Sequence, residues 1–166
     1  MEFIIKKLYI IRHAKSDWSD DTLKDFDRPL NKRGLKNAPF MGSLLKNKNI
    51  NPDLILSSPA LRAITTAEII ANRVEYKNNI ETNKSIYETP YSTLEKIIYE
   101  IDDKNNSVFF IGHNPGLSAL INHLCQTNLD IPTCAVVEIS FDTDSWEKIS
   151  KKNTTLISYE YPKKYT

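Results

Sequence analysis

The chain has 166 residues, 40% apolar and 26% charged, an ordinary globular balance that excludes a disordered or fibrous protein. Twenty-two Lys and Arg against twenty-one Asp and Glu leave a net charge of +1, which gives no support for a nucleic-acid or acidic-membrane partner. The length suits a single domain over residues 1–166. Seventeen of the basic residues are Lys and only five are Arg, so the places where arginine is used matter: only a guanidinium grips an oxyanion in a planar fork.

The opening stretch, MEFIIKKLYIIRHAKS, breaks its apolar run with two lysines and Arg12. It has neither signal-peptide character nor the length of a membrane span, so a soluble cytoplasmic protein is expected, a monomer by default. The first strand is predicted over Leu8 to Arg12, with others over Asp53 to Ser57, Val108 to Gly112, Cys134 to Phe141 and near Thr155 to Tyr161. The first three are apolar throughout, as in strands buried on both faces of a partly parallel sheet.

Helices alternate with the strands, the pattern of an α/β domain. Asn31 caps a helix running toward Asn47, which Pro39 should kink; a second helix follows Pro59. A third is predicted from Ser92, where Ser92 and Glu95 would form a capping box ahead of the stripe Leu94, Ile97, Ile98 and Ile101. The fourth carries Leu117, Leu120, Ile121 and Leu124 at helical spacing. Cys125 and Cys134 lack CxxC spacing and read as small apolar side chains.

Ligands of open α/β sheets sit beyond the carboxyl ends of the strands. Here the first strand runs into Arg12 and His13, and the second into Ser57, Ser58 and Pro59 with Arg62 a turn later. The third runs into Gly112, His113, Asn114, Pro115 and Gly116. If these strands are neighbours, two arginines, two histidines and two helix N-termini converge on one place, which suits a tetrahedral phosphoryl group. A neutral imidazole could attack phosphorus to give a phosphohistidine, with arginine forks and a second, protonated histidine balancing the charge. No Walker loop, HExxH or carboxylate cage is present, so neither metal nor cofactor is expected. The missing GxGxxG and GxxxxGK loops also count against a nucleotide-binding domain.

The strings LYIIRHAKS, LILSSPALRAITTAE and VFFIGHNPG resemble the histidine phosphatase superfamily. The segments DRPLNKRG (Asp27 to Gly34) and PTCA (Pro132 to Ala135) extend the likeness to its SixA-type branch of phosphohistidine phosphatases. The resemblance implies a three-layer α/β/α sandwich of phosphoglycerate mutase-like type with a mostly parallel central sheet. It also implies that His13 is the phosphorylated nucleophile, that Arg12 and Arg62 hold phosphoryl oxygens, and that His113 is a second donor. One departure is Ala14 at the third position of the family's Arg-His-Gly hallmark, which argues against a backbone angle reserved for glycine. A second is the short stretch from Arg62 to Val108, too small for the inserted cap of mutases and acid phosphatases.

An open site fits a phosphorylated protein carrying phosphohistidine. The alternatives are a phosphatase of small phosphomonoesters and a non-catalytic phosphoprotein-binding domain. Glu88 divides the two enzyme readings, since it is either a general acid for phosphoesters or an exposed acid beside a helix N-terminus. Arg28 either supplies a third anion ligand or pairs with Asp25 or Asp27, and Arg33 serves packing or surface pairing. Lys15 and Ser16 could touch substrate, and Asn114 either orients His113 or caps the fourth helix. The loop from Asp17 to Asp27 is a substrate-facing rim or an ordinary surface loop anchored by Trp18 and Phe26, and His123 reads as a surface histidine.

Overall fold

The structure, a computed structural model, describes residues 5–166, so the start of the N-terminal apolar stretch lies outside the described residues. In chain order the elements are β1 (Lys6–Arg12), α1 (Lys32–Asn47), β2 (Leu54–Ser57), α2 (Leu61–Arg73) and β3 (Glu81–Thr82). They continue with α3 (Tyr91–Tyr99), β4 (Ser107–Gly112), α4 (Gly116–Cys125), β5 (Val136–Phe141) and β6 (Thr154–Glu160). The strands form one sheet in the order β3-β2-β4-β1-β5-β6. The pairs β3/β2, β2/β4 and β4/β1 are parallel, and β5 runs antiparallel to both its neighbours. The sheet is therefore mostly parallel.

Side chains two apart along a strand share a face, and this sorts the apolar residues into two cores. Leu8 and Ile10 of β1, with Leu56, Val108 and Phe110, pack against Leu94 and Ile98 of α3 and Leu117, Leu120 and Ile121 of α4. Tyr9 and Ile11, with Ile55, Phe109 and Ile111, pack against Ala38, Met41 and Leu45 of α1 and Ala63, Ala67 and Ile70 of α2. The result is the three-layer α/β/α sandwich. Its small alanines let α1 and α2 lie close to the sheet.

Local differences from the sequence reading have physical causes. β1 starts at Lys6, which is buried, because its ammonium donates to the carbonyls of Asp103 and Asn105 and to Oδ1 of Asn106. The capping box at Ser92 and Glu95 does not form. α3 begins earlier, at Tyr91, because Pro90 acts as its N-cap and accepts from the Thr93 and Leu94 amides. Ser92 thus falls inside the first turn, and Glu95 pairs with His123 instead at 3.4 Å. α1 begins as expected, with Asn31 Oδ1 accepting from the Gly34 amide, and it continues unbroken through Pro39. The carbonyl that Pro39 cannot serve belongs to Leu35, on the exposed side of the helix. The two-residue β3, exposed throughout, carries no apolar pattern that the sequence could reveal.

Adjacency of β1, β4 and β2 decides where the polar residues meet. Arg12 pairs in register with Gly112, and Ser57 with Ile111. The His13 amide then donates to the Gly112 carbonyl and the Ser58 amide to the Ile111 carbonyl, extending the ladder by one residue on each strand. The three polar strand ends therefore lie side by side.

Candidate active site

Beyond these strand ends lies a cavity of about 250 Å³. It is lined by Arg12, His13, Lys15, Ser16, Arg28, Arg62, Glu88, His113 and Asn114, and by Trp18, Asp25 and Thr133. Every residue singled out for the site in the sequence reaches it.

His13 is 7% exposed and its ring orientation is fixed by chemistry. Nδ1 lies 2.8 Å from the Ala14 carbonyl oxygen, which can only accept, so Nδ1 carries the proton. Nε2 is left with its lone pair, toward which Arg62 Nε donates at 3.4 Å. Burial pushes the His13 pKa down to about 3, with His113, Arg62 and Arg12 lowering it further against the opposing carbonyl bond. The ring is neutral at neutral pH.

Ala14 is fully buried and free of positive φ, so the methyl group at this hallmark position is accommodated in ordinary backbone. Its amide donates to Thr66 Oγ1 at 3.0 Å, and that hydroxyl donates to the Arg62 carbonyl at 2.7 Å. One threonine thereby ties the segment after His13 to the first turns of α2. Gly34 closes the other side, since a Cβ there would stand 2.2 Å from the Lys15 carbonyl oxygen.

His113 stands 5.1 Å from His13, ring centre to ring centre. Its Nε2 is 2.8 Å from Ser58 Oγ, while its Nδ1 and Arg12 Nε are buried without a hydrogen-bond partner among the described residues. A buried guanidinium N–H left unpaired, as at Arg12 Nε, is costly. The expectation of a protonated second histidine is corrected for the free site. Burial, with Arg62 and Arg12 outweighing Asp25, pulls the His113 pKa down to about 4. This favours the neutral ring at neutral pH.

Asp25, named in the sequence only as a partner for Arg28, also holds Arg62 and Tyr87, contacts that residue spacing did not expose. Arg62 donates to its carboxylate from Nη2 at 2.9 Å and to its carbonyl from Nη1 at 2.7 Å. Arg28 donates to the other carboxylate oxygen from Nε and Nη2, and the Tyr87 hydroxyl donates at 2.5 Å. Burial raises the Asp25 pKa, but the Tyr87 and Arg62 hydrogen bonds outweigh it and hold the carboxyl at about 2. Arg28 thus takes the pairing with Asp25 while still lining the cavity, and its guanidinium stacks 3.3 Å over Trp18.

Trp18 is 69% exposed and does not anchor the loop from Asp17 to Asp27, whereas Phe26 packs edge-on against Tyr87 at 5.3 Å. The loop forms a rim of the cavity. Asn114 caps α4, its Oδ1 accepting from the Ser118 amide at 3.1 Å while Nδ2 donates to the Ile131 carbonyl. Glu88 is exposed at the cavity mouth with φ of 47°, a left-handed backbone unusual for glutamate. Strain of that sort collects at functional positions. Arg33 is exposed, and His123 is half-exposed against the Tyr91 ring.

The family model of the histidine phosphatase superfamily (branch 1) matches residues 8–109, more than half of the chain. The chain belongs to this superfamily. Among its relatives, the phosphohistidine phosphatase SixA of Escherichia coli (strain K12) is 26% identical over 142 residues, covering 82% of this chain and 86% of that protein. A candidate phosphohistidine phosphatase SixA from Agrobacterium tumefaciens shares the fold with a TM-score of 0.79 and 26% identity, over 95% of this chain and 98% of its own. The protein histidine phosphatase SixA complexed with tungstate has a TM-score of 0.78 and 23% identity, over 96% and 99% of the two chains.

Beyond the histidines and arginines of this histidine phosphatase, Ser58, Thr66 and Tyr87 also hold the site together. Ser58 stood at a strand end where its position was legible but its partner was not. Thr66 and Tyr87 carried no local signal.

Proposed function

We propose that this histidine phosphatase hydrolyses phosphohistidine in a protein through a covalent intermediate on His13, without a metal. The observation that carries the reading is the Nδ1 bond of His13 to the Ala14 carbonyl, which leaves a neutral, oriented Nε2 beside the Arg62 guanidinium. In the first step the Nε2 lone pair forms a bond to phosphorus as the bond to the leaving nitrogen breaks. With a proton taken from solvent on its other ring nitrogen, the leaving group departs as neutral imidazole, whose conjugate acid has a pKa of about 6.5, so it needs little further help. Arg12 and Arg62 balance charge on the equatorial oxygens, and His113 donates from Nδ1, the nitrogen not engaged with Ser58. Water then attacks the phosphohistidine, releasing phosphate and restoring neutral His13. Depression of the His13 pKa to about 3 keeps the nucleophile competent through neutral and mildly acidic pH.

The likeness to SixA and the short chain between α2 and β4 both support a protein-borne substrate. That stretch holds only the two-residue β3, a 3-10 turn and α3, with no inserted cap over the cavity. A second reading, a phosphatase of small phosphomonoesters, is favoured by one observation: Glu88 lines the cavity in strained backbone and would be the proton donor to an alkoxide. A silent phosphoprotein-binding role has no use for the orientation of His13.

Mixing the protein with phosphoramidate and quenching tests the main reading. An acid-labile, alkali-stable phosphoryl group on His13 is expected, and His13→Ala should lose both the adduct and turnover. If no adduct forms and His13→Ala turns over normally, the covalent mechanism is wrong.

A further inference from the structure

A second, larger cavity of about 530 Å³ adjoins the phosphoryl cavity. The two share Glu88, His113 and Asn114, so one continuous depression has two chemically different halves. The phosphoryl half carries arginines and histidines. The other half is walled by Pro90, Tyr91, Pro115, Gly116 and Ala119, and its only charged residue is Glu88, on the shared edge. Its volume falls within the roughly 300–1,000 Å³ typical of pockets that enclose organic ligands.

The walls are held in place by the structure around them. The start of α4 is pressed onto the segment after Glu88, since a Cβ at Gly116 would stand 2.5 Å from the Thr89 carbonyl oxygen. Asn114 ties the same turn to Ser118 and to the Ile131 carbonyl. On the opposite wall, the Tyr91 ring lies against His123 with centroids 4.7 Å apart, and His123 is paired with Glu95. These contacts keep an aromatic side chain, 36% exposed, standing at the edge of the groove.

We infer that this groove is a specificity subsite for an apolar side chain next to the phosphorylated histidine of a peptide or protein substrate. The inference rests on the phosphohistidine reading above and extends it. A substrate whose phosphorus meets His13 must carry its remainder past Glu88 and His113, the residues the two halves share. An apolar side chain there buries against Pro90, Tyr91 and Pro115 without desolvating a charge. An acidic side chain would face the Glu88 carboxylate and be disfavoured.

The test is a set of phosphohistidine peptides in which one leucine is walked through the positions flanking the phosphorylated residue in an otherwise Ser-rich sequence. Aspartate replaces leucine in a matched set, and phosphoramidate serves as a substrate with nothing to place in the groove. At one position leucine should raise kcat/KM by about tenfold over serine, and aspartate should lower it. Ala119→Phe, which fills the groove from α4, should erase the leucine preference and leave phosphoramidate turnover unchanged. Equal kcat/KM across the walk in the unaltered protein, or a preference that survives in a folded Ala119→Phe, overturns the subsite.

A series of n-alkyl phosphates completes the experiment. If rates rise with chain length while the peptides show no preference, the groove serves small esters and the peptide subsite is overturned. If phosphoramidate and every peptide are inert, the phosphohistidine reading itself fails, and the subsite with it.

Discussion

Asp25 grips Arg62 at two points, the carboxylate taking Nη2 at 2.9 Å and the backbone carbonyl taking Nη1 at 2.7 Å. The same carboxylate holds Arg28, so a single acid aligns two guanidinium groups in a pocket otherwise suited to anions. It fixes the direction of Arg62 and at the same time opposes any anion that enters.

Asp25→Asn separates those two effects. Loss of the charge loosens Arg62, and kcat should fall about tenfold to a hundredfold, as expected when a positioning group is displaced. Removal of the negative charge should also strengthen inhibition by inorganic phosphate. Steady-state kinetics with phosphate titration reads both. An unchanged kcat would mean that Arg62 holds its direction without the carboxylate.

The two buried histidines make stability depend on pH. Their folded pKa values of about 3 and about 4 lie below the ordinary 6.5, so the unfolded chain binds more protons between those limits. Stability therefore falls as pH drops through this window, by up to about 1.4 kcal/mol per pH unit for each ring. Thermal unfolding from about pH 7 to about pH 4.5 should show this loss, with a shallower slope in the double variant His13→Asn, His113→Asn. Identical slopes would show that neither ring is held neutral by the fold.

Glu88→Gln sorts the substrates. With a phosphoserine peptide the variant should lose about a hundredfold or more in kcat, because an alkoxide departs only with a proton. With a phosphohistidine peptide the loss should stay within about tenfold, since imidazole departs without a strong acid. Equal losses on both substrates would make Glu88 a general acid whatever the leaving group.

Gly34→Ala is expected to disturb the site from a distance. Its new methyl would meet the Lys15 carbonyl oxygen at 2.2 Å, an unyielding backbone atom that also accepts from the Asn31 amide. Separation of α1 from the segment after His13 should cost about 1–3 kcal/mol. A drop in Tm of several degrees, with reduced kcat, should be seen by calorimetry and assay. A variant as stable as the parent would show that α1 can shift freely.

Much of this protein follows from local sequence. Unbroken apolar runs set β1, β2 and β4, stripes at helical spacing set α3 and α4, and Asn31 caps α1, because each depends on residues within a few positions of one another. Arg12, His13, Arg62 and His113 were legible for the same reason: Arg12 ends β1, His13 and His113 follow directly on strands, and Arg62 lies in the first turn of the helix after β2, all beside strand ends the sequence marks. Tertiary structure alone decided what those residues meet. Asp25 reaches Arg62 from 37 residues away and Tyr87 reaches Asp25 from 62, distances over which no spacing rule operates. Burial of Lys6 depended on carbonyls about a hundred residues later, and the neutral state of His113 depended on desolvation by the finished pocket. Charge states and ion-pair partners are properties of the folded interior, where dielectric and proximity are set by packing rather than by order along the chain.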